Sequence, residues 1–392
     1  MFIGWGVVVA WVVAGGWTWK ICEAAWGLPR IPDLLKAEFD RWPGGAPRLT
    51  VVVPARDEED GIVACLESLV GQDYPVDVIA VDDRSSDATG ALMDGVAARF
   101  PERVTVMHVT ELPNGWLGKV HALALGAKQA EVLTQPDFLL FTDADVVFRV
   151  DALRRTLAQA VALGADHIVT VPTMEVRRWD EGVVMGFFQI FGLWATRPWR
   201  VEDPKAVRDA VGIGAFNMVR ASAYRGIGGF EGQKMDILED LTLAKRVKKA
   251  GLRQRICFGY GLVKVHWAVG AKGLIGVMTK NIFAAFRFHA SLLLGACIWL
   301  AVFAVGPVVG LFFSGVRVPS VIALGCVAWA YRLYGRASGI SVWYVLGFPV
   351  GAVVFMFTLL RSMGVTLWQG GVWWRGTFYS LEELRRESGP LR

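Results

Sequence analysis

The sequence predicts an α/β domain, built on a mostly parallel sheet covered by helices, with apolar helices at both ends of the chain. Two observations lead to this fold class. Between Arg48 and about Trp267, short β-branched runs alternate with stretches of helical spacing, the pattern of strand–helix–strand units. Toward both ends, long runs lack charged side chains, which is typical of helices that cross a bilayer.

The composition excludes several classes of protein. Hydrophobic residues make up 54% of the 392 residues and charged residues only 20%, which excludes a disordered or fibrous chain and disfavours an ordinary soluble enzyme. Lys and Arg number 41 against 36 Asp and Glu, and the net charge of +5 is too small to indicate a nucleic-acid partner. The mild positive charge suits a protein facing an anionic lipid bilayer.

The cysteines and histidines predict neither a disulfide framework nor a zinc site. The five cysteines lie far apart without a CxxC pair, and the five histidines form no HExxH motif.

The first of the apolar runs predicts an N-terminal transmembrane anchor over residues 1–20. Met1 to Trp19 carries no charged side chain, and Lys20 closes the run. A signal peptide is the alternative, but the stretch lacks a basic n-region and an A-x-A cleavage site. Residues 21–47, which end in the Pro43–Pro47 turn sequence, are interpreted as a linker.

The C-terminal runs predict about three transmembrane helices over residues 291–360, the middle one short. Residues 269–290 before them are interpreted as an interfacial, acceptor-binding segment, and residues 361–392 after them as a polar tail. The uncharged or weakly charged runs are Phe288–Val316, Val318–Tyr331 and Ala337–Leu360.

The middle of the chain, residues 48–268, is interpreted as one α/β domain. The apolar stretch at residues 179–199 is too apolar for a soluble surface helix and predicts an interfacial helix, with core packing as the alternative. The strand-like runs are Leu49–Val53, Val76–Val81, Val104–His108, Phe138–Phe141 and His167–Val171. The helix-like stretches between them are Gly61–Val70, Ala88–Phe100, Gly118–Ala130 and Asp151–Leu163.

Acidic residues follow three of the predicted strands directly. The segments are Pro54–Glu59, Asp82–Asp87 and Thr142–Asp145. Carboxyl ends of parallel strands share one edge of a sheet, so these carboxylates are expected in one cleft, where a cation makes their charge tolerable. Asp143 and Asp145 are separated by one residue, and this pair of carboxylates is suited to bind a hard divalent cation. Solvated charged loops are the alternative for each segment taken singly.

These segments resemble the ordered motifs of family 2 glycosyltransferases with the GT-A fold. The resemblance covers about residues 48–268. The further motifs that carry it are Gly115–Lys119, a glycine-lysine loop, Gly212–Arg220, a donor-site glycine segment, and Glu239–Ala244, an acidic motif opening a helix.

The resemblance implies a nucleotide-sugar site. Asp82 and Asp83 would hold the base and ribose, and Lys119 would lie near the donor, a solvated lysine at the start of a helix being its alternative. The other donor-binding candidates are Pro54, Ala55, Arg56, Glu58, Asp143, Gly214 and Ala215.

The resemblance also implies metal-dependent chemistry at this site. Asp145 would ligate Mg²⁺ or Mn²⁺ bridging the diphosphate, with Asp143 assisting. Asp240, beside Glu239, would be the general base that takes the acceptor hydroxyl's proton, so one displacement inverts the anomeric carbon. Capping of the following helix is the alternative role for Asp240.

The region before the C-terminal runs departs from one branch of the family. Polysaccharide synthases and ceramide glucosyltransferases carry a Gln/Arg-x-x-Arg-Trp motif that is missing here, and the chain looks closer to hopanoid-associated and carotenoid-type members. Lys280 and Arg287 are candidates for diphosphate or acceptor contact, with snorkelling to lipid headgroups as the alternative. His266 is a further candidate, with a structural histidine as its alternative.

The resulting hypothesis is a hexosyltransferase that moves a single sugar, from a UDP-sugar, to a hydroxyl of a membrane lipid. The acceptor class stays open among hopanoid, carotenoid, ceramide, glycerolipid and polyprenyl phosphate. A processive polysaccharide synthase and an inactive membrane scaffold are the alternatives. Arg332 and Arg336 between the last two runs indicate that this loop faces the cytoplasm. The expected location is a bacterial inner membrane, spanned several times, with the catalytic domain in the cytoplasm because sugar nucleotides are made there.

Overall fold

The computed structural model describes residues 2–388, which divide into two compact units. The helical unit contains the described residues of Met1–Arg30, Val176–Arg197 and Trp267–Arg392. The α/β unit contains Ile31–Glu175 and Pro198–His266.

The strands fall almost entirely in the α/β unit. In chain order they are β1 Leu49–Ala55, β2 Asp77–Asp83, β3 Val104–Val109, β4 Phe138–Phe141, β5 Val146–Phe148, β6 His167–Thr170, β7 Thr173–Met174, β8 Asn217–Arg220, β9 Gln254–Cys257, β10 Val263–Val265, and, in the helical unit, β11 Gly371–Trp374 and β12 Thr377–Ser380.

The α-helices are shared between the units. In chain order they are α1 Phe2–Gly27, α2 Ile62–Val70, α3 Thr89–Arg99, α4 Gly118–Leu133, α5 Ala152–Ala162, α6 Trp179–Ala195, α7 Ala221–Gly226, α8 Glu239–Lys249, α9 Gly270–Ala285, α10 Ala290–Leu300, α11 Gly306–Gly310, α12 Arg317–Ser338, α13 Phe348–Gln369 and α14 Leu381–Ser388. A π-helical turn, Ala301–Val305, joins α10 to α11.

The main sheet has seven strands in the order β3-β2-β1-β4-β8-β6-β9. Neighbouring strands are parallel except that β8 runs antiparallel to both β4 and β6. A second sheet joins β5, β10 and β7. The predicted α/β fold with a mostly parallel sheet is therefore confirmed.

The strands at the centre of the sheet are buried along their whole length. Every residue of β1 and of β4 is buried, as expected for parallel strands covered by helices on both faces. Helix α2 shows how the cover forms, because Ile62, Cys65, Leu66 and Leu69 recur at helical spacing and are all buried. Side-chain burial thus fixes the strands from which the acidic segments emerge.

The helical unit contains four helices long and apolar enough to cross a membrane among the described residues. Helix α1 continues past residue 20, where the sequence analysis ended the anchor. Its continuation is packed on one side, since Ile21 and Ala24 are buried and Glu23 forms a 2.9 Å ion pair with Lys20. The four segments are Gly4–Arg30, Ala290–Gly310, Ser314–Gly335 and Val342–Gln369.

Helix α6 covers most of the stretch for which an interfacial helix was predicted. Its buried residues include Phe187, whose ring centroid lies 5.3 Å from that of Phe348 and 5.6 Å from that of Phe355. Packing within the helical unit, the alternative interpretation, therefore accounts for the apolar sequence, while a position at the bilayer surface stays a prediction.

The residues predicted as a polar tail are largely structured. Helix α13 continues to Gln369, and the β11–β12 hairpin and α14 follow it. The acceptor-segment prediction, residues 269–290, coincides mainly with α9, whose first N–H groups, at Gly270 and Ala271, donate to Glu181 and Asp180. Residue 1 and residues 389–392, the outer ends of the predicted anchor and tail, lie outside the described residues.

Candidate active site

Parallel pairing brings the acidic segments to one edge of the main sheet. The register of β1 with β2 places Ala55 beside Asp82 and Pro54 beside Val81. Strand β4 is the other parallel neighbour of β1, and Asp143 and Asp145 follow its last residue. The three predicted strand ends therefore meet as expected from parallel topology.

The loops after β1 and β2 are joined by hydrogen bonds in both directions. The N–H of Glu58 donates to Thr89 Oγ1 at 2.8 Å, and the N–H of Ser86 donates to Asp57 Oδ1 at 2.7 Å. The N–H of Ala88 donates to Glu59 Oε2 at 3.0 Å. These carboxylates therefore order the loops, a structural role for part of the acidic motif.

Asp83 is buried between two guanidinium groups. Arg84 Nε lies 2.9 Å from Asp83 Oδ1, and Arg56 Nη1 lies 3.8 Å from Asp83 Oδ2. Arg84 holds this position with a φ of 59°, in the left-handed region that is costly for a residue other than glycine. The Nε of Arg56 is buried and has no hydrogen-bond partner among the described residues, so a donor remains for a ligand.

Lys119 links two carboxylates from distant parts of the chain. Its Nζ lies 2.6 Å from Asp143 Oδ1, after β4, and 2.7 Å from Glu239 Oε1, at the start of α8. Burial opposes the charge on Lys119, but Asp143 and Glu239 outweigh it and raise the pKa of the amine well above its usual range. The amine is therefore a permanent cation inside the acidic cluster.

The segment before β8 approaches this cluster closely. Thr142 Oγ1 donates to the carbonyl oxygen of Ala215 at 2.8 Å. A Cβ on Gly214 would stand 2.7 Å from Asp143 Oδ2 and 3.3 Å from Lys119 Nζ. Only glycine leaves both groups where they are, which explains the glycine in this segment.

Asp240 lies at the start of α8, where its backbone is in close contact with the segment around Gly212. A Cβ on Gly212 would collide with the backbone of Asp240, so the two segments touch through main chain alone. The Oδ1 of Asp240 accepts the N–H of Leu241 at 2.6 Å. Asp240, Asp143, Lys119 and Gly214 line one small cleft of the α/β unit.

Two carboxyl groups of the cluster have strongly raised pKa values. Burial, followed by the nearby charges of Asp143 and Glu58, raises the pKa of Asp145 to about 7. Burial, followed by the charge of Glu239, raises the pKa of Asp240 to about 7. A carboxyl group with a pKa near 7 is suited to exchange protons at neutral pH.

The same carboxylates show where a divalent cation fits. Within residues 2–388, no three His, Cys, Asp or Glu side chains converge on one metal position. Yet the negative charges of Asp143 and Glu58 crowd Asp145, and carboxylate oxygen is the donor that Mg²⁺ and Mn²⁺ prefer. A cation held by one or two carboxylates, with the remaining ligands from phosphate and water, is compatible with this arrangement.

Three further sequence-predicted residues come from other segments of the chain. His266 follows β10 in the α/β unit and is half-buried. Lys280 and Arg287 belong to the helical unit, where Lys280 Nζ lies 4.1 Å from the ring centroid of Trp374. Their roles in diphosphate or acceptor contact stay predictions.

The structure adds residues that the sequence analysis did not single out. His108 lies between Asp82 and Asp94, and His121 has a buried Nδ1 without a partner among the described residues. The ring of His121 packs edge-on against Trp116, with centroids 5.4 Å apart. No local motif marks these histidines, because their neighbours come from other strands and loops.

The chain is similar to proteins of known family. Residues 50–226 match the family model for glycosyl transferase family 2. The chain carries a family 2 glycosyltransferase domain. A 4,4'-diaponeurosporenoate glycosyltransferase of Staphylococcus aureus (strain USA300) is 25% identical over 349 residues, which cover 86% of this chain and 89% of the relative.

A solved structure agrees on the fold of the glycosyltransferase. The mannosyltransferase PcManGT from Pyrobaculum calidifontis, in complex with GDP-Man and Mn²⁺, superposes with a TM-score of 0.54 at 17% identity, covering 94% of this chain and 99% of that one. The predicted glycosyltransferase activity and the GT-A fold, with apolar helices toward both ends, are therefore confirmed.

Proposed function

We propose that this family 2 glycosyltransferase moves a single sugar from a nucleotide-sugar donor to a hydroxyl of a membrane lipid. The observation that carries the proposal is that one chain combines the Lys119-bridged acidic cleft with four helices long and apolar enough to cross a membrane. The cleft suits a charged, water-soluble donor, and the helices suit an acceptor dissolved in the bilayer.

The donor site is assigned to the edge of the sheet where β1 and β2 end. Asp82 and Asp83 bind the base and ribose. The Nε of Arg56 lies 4.0 Å from Asp57 Oδ2 and has no hydrogen-bond partner among the described residues, which supports a polar ligand there. Pro54, Ala55 and Glu58 surround them, while Lys119, Asp143, Gly214 and Ala215 bind the diphosphate-sugar end. A UDP-sugar is the proposed donor.

A divalent cation, Mg²⁺ or Mn²⁺, is assigned to Asp145 with help from Asp143. When bound, it supplies positive charge that stabilises the leaving diphosphate. The crowded negative charge around Asp145 supports this assignment, because a cation would relieve it. Lys119, already fixed as a cation, adds charge on the same side of the cleft.

Asp240 is assigned as the general base, with Glu239 beside it. The carboxylate of Glu239 is engaged by Lys119 at 2.7 Å, and burial, followed by the charge of Glu239, raises the pKa of Asp240 to about 7. Asp240 takes the proton of the acceptor hydroxyl as its oxygen attacks the anomeric carbon. A single displacement of this kind inverts the configuration at that carbon.

The acceptor and the cellular location follow from the helices. The Staphylococcus aureus relative is named for 4,4'-diaponeurosporenoate, which supports an apolar acceptor for this chain as well. We place the enzyme in a bacterial inner membrane with its α/β unit in the cytoplasm, where sugar nucleotides are made. Protease cleavage of residues 50–260 only from the outer face of sealed vesicles of known orientation would contradict that location.

The test uses membranes from cells that produce the full chain. They are incubated with a panel of radiolabelled UDP- and GDP-sugars plus Mg²⁺ or Mn²⁺, and lipid extracts are separated. One labelled lipid, absent with the Asp240→Asn variant, supports the proposal. A water-soluble polymer would indicate a processive synthase, and no turnover of any donor would indicate an inactive scaffold; either result contradicts it.

A further inference from the structure

We propose that His108 is a positioning residue of the donor site: held between Asp94 and Asp82, it orients Asp82 and offsets its charge, and it makes nucleotide binding depend on pH. The inference rests on the proposed function, which assigns Asp82 to the donor nucleotide. It concerns a histidine outside the motifs that carried that assignment.

The contact follows from the register of neighbouring strands. Strands β2 and β3 are parallel, and Asp82 and His108 are paired across them. The Nδ1 of His108 lies 3.0 Å from Asp82 Oδ2, and its Nε2 lies 3.0 Å from Asp94 Oδ1 on α3. The imidazole therefore spans two carboxylates, one in the sheet and one on the covering helix.

The two carboxylate contacts favour the charged form of this histidine. A neutral imidazole has one N–H, so it can donate to one carboxylate only, and its other nitrogen would face an acceptor. Contacts of 3.0 Å from each ring nitrogen to a carboxylate fit the imidazolium form, in which both nitrogens donate. The hydrogen bonds to Asp82 and then to Asp94 raise the pKa of His108 above its usual value, against a smaller opposing effect of burial.

The carboxylate of Asp82 is held at both of its oxygens. Its Oδ1 accepts the N–H of Ser85 at 3.1 Å, and its Oδ2 accepts from His108. A Cβ on Gly90 would stand 2.8 Å from Asp82 Oδ2 and 3.4 Å from His108 Cε1, so the first turn of α3 closes over the pair. The orientation of Asp82 is thus set by neighbours on three sides.

The sign of the pH dependence follows from the charged groups around the imidazole. The ionised partners that face it are Asp82 from β2 and Asp94 from α3, while Asp83 is engaged by Arg84 and Arg56 instead. Below the raised pKa of His108, the imidazolium offsets the charge of Asp82. As pH rises through that pKa, one hydrogen bond is lost, and an uncompensated carboxylate then repels an anionic nucleotide.

The experiment measures UDP and GDP binding to the full-length protein in lipid nanodiscs with Mg²⁺, between about pH 6 and pH 9, by calorimetry. Wild-type affinity should fall as pH rises. His108→Asn should weaken binding near neutral pH about tenfold, roughly the contribution of one charge-assisted hydrogen bond, and flatten the pH profile.

Asp94→Asn is the sharper variant, because it leaves His108 and Asp82 in place. It should lower the pKa of His108 and move the midpoint of the binding profile to lower pH. The matched control is Glu67→Gln. It removes an exposed carboxylate on α2 that pairs at 2.7 Å with Arg99 of α3, the helix that carries Asp94, and it should leave the profile unchanged. A purely structural histidine would not shift the midpoint in this way.

A second measurement separates this inference from the donor site itself. The ¹⁵N shifts of labelled histidine, assigned with His108→Asn, report the charge of His108 without nucleotide. A charged His108 together with variant profiles that match the wild type overturns the positioning role but leaves the donor site intact. A charged His108 in a wild-type protein that binds neither nucleotide overturns the donor site and, with it, the role of His108 there.

Discussion

Lys119 Nζ lies 2.7 Å from Glu239 Oε1, although the two residues are 120 positions apart in the sequence. The same amine lies 2.6 Å from Asp143 Oδ1. One cation thus ties the segment after β4 to the start of α8. It pairs with Asp143, which is assigned to assist the metal, and with Glu239, the neighbour of the assigned base Asp240. Removing it should disturb both stability and chemistry.

Lys119→Gln is expected to destabilise the α/β unit and to reduce transfer. Glu239 would remain buried without its partner, at a cost of roughly 2–4 kcal/mol, below the full cost for a buried ion because a quarter of the Lys119 side chain (25%) is exposed. The charge of Lys119 also lowers the pKa of Asp240, so its loss should move the acid limb of the rate profile to higher pH.

Lys128 on the same helix provides the control for this change. It is exposed, and Lys128→Gln should leave both the unfolding midpoint and the rate profile near wild type. Thermal unfolding in detergent and the pH dependence of kcat/KM measure the two effects. An unchanged acid limb in Lys119→Gln would contradict the coupling between Lys119 and Asp240.

Gly214→Ala should impair donor binding with little loss of folding stability. The added Cβ would lie 2.7 Å from Asp143 Oδ2, so the carboxylate and Lys119 must move apart from their present contact. We expect kcat/KM to fall about tenfold or more, since small misplacements in a site are costly. Gly226→Ala is the control, because nothing lies within 4 Å of a Cβ built there. Equal activities of the two variants would contradict the close-approach argument.

Asp145→Asn should change how stability depends on pH and on metal. Asp145 has a pKa of about 7 in the folded chain against 3.8 for an ordinary aspartate, so the fold favours its protonated form. Its contribution to stability is therefore present below about pH 4 and is lost as pH rises through 7. A bound Mg²⁺ or Mn²⁺ should restore stability at pH 7 and above by favouring the ionised form.

Unfolding midpoints measured from pH 5 to pH 8, with chelator or with added metal, check this behaviour. The wild type should lose stability as pH rises with chelator and regain it with Mn²⁺. In Asp145→Asn the metal effect should vanish and the slope should be shallower, the remainder coming from Asp240, which titrates in the same sense. Undiminished stabilisation of the variant by Mn²⁺ would place the metal elsewhere.

The acidic edge of the main sheet could be predicted because the sequence pattern that marks it is local. Each acidic segment directly follows a β-branched or aromatic run, and parallel topology then brings the segments together. Strand β8 shows the limit of this reasoning. Its four residues, Asn217–Arg220, lie antiparallel between β4 and β6, and their place depends on pairing with strands distant in sequence.

The contacts of His108 and the packing partners of α6 could not be predicted, because they too depend on residues distant in sequence. His108 becomes informative only when the β2–β3 register sets it beside Asp82. Helix α6 is apolar over most of its circumference, and a hydrophobic pattern alone does not distinguish a helix covered by protein from one covered by lipid. The contacts of Phe187 with α13 show that one face of α6 is covered by protein, and those contacts are non-local.

Asp240→Asn is the decisive variant for the proposed mechanism. If Asp240 is the base, donor binding and fold should survive while transfer falls by a factor on the order of 10²–10⁴, the usual contribution of a positioned general base. The wild-type kcat/KM should rise with pH through about 7, because burial and Glu239 raise the pKa of Asp240 to that value and only its ionised form accepts a proton.

The structure also supplies the residue that separates catalysis from helix capping. Asp236, just before α8, accepts the N–H of Leu238 at 2.9 Å and the hydroxyl of Thr242 at 2.6 Å, so it orders the start of this helix. Asp236→Asn should therefore lower the unfolding midpoint while transfer stays near wild type, the opposite of the result expected for Asp240→Asn. If Asp240→Asn instead loses stability and keeps its turnover, Asp240 serves the helix and the base must be sought elsewhere in the cleft.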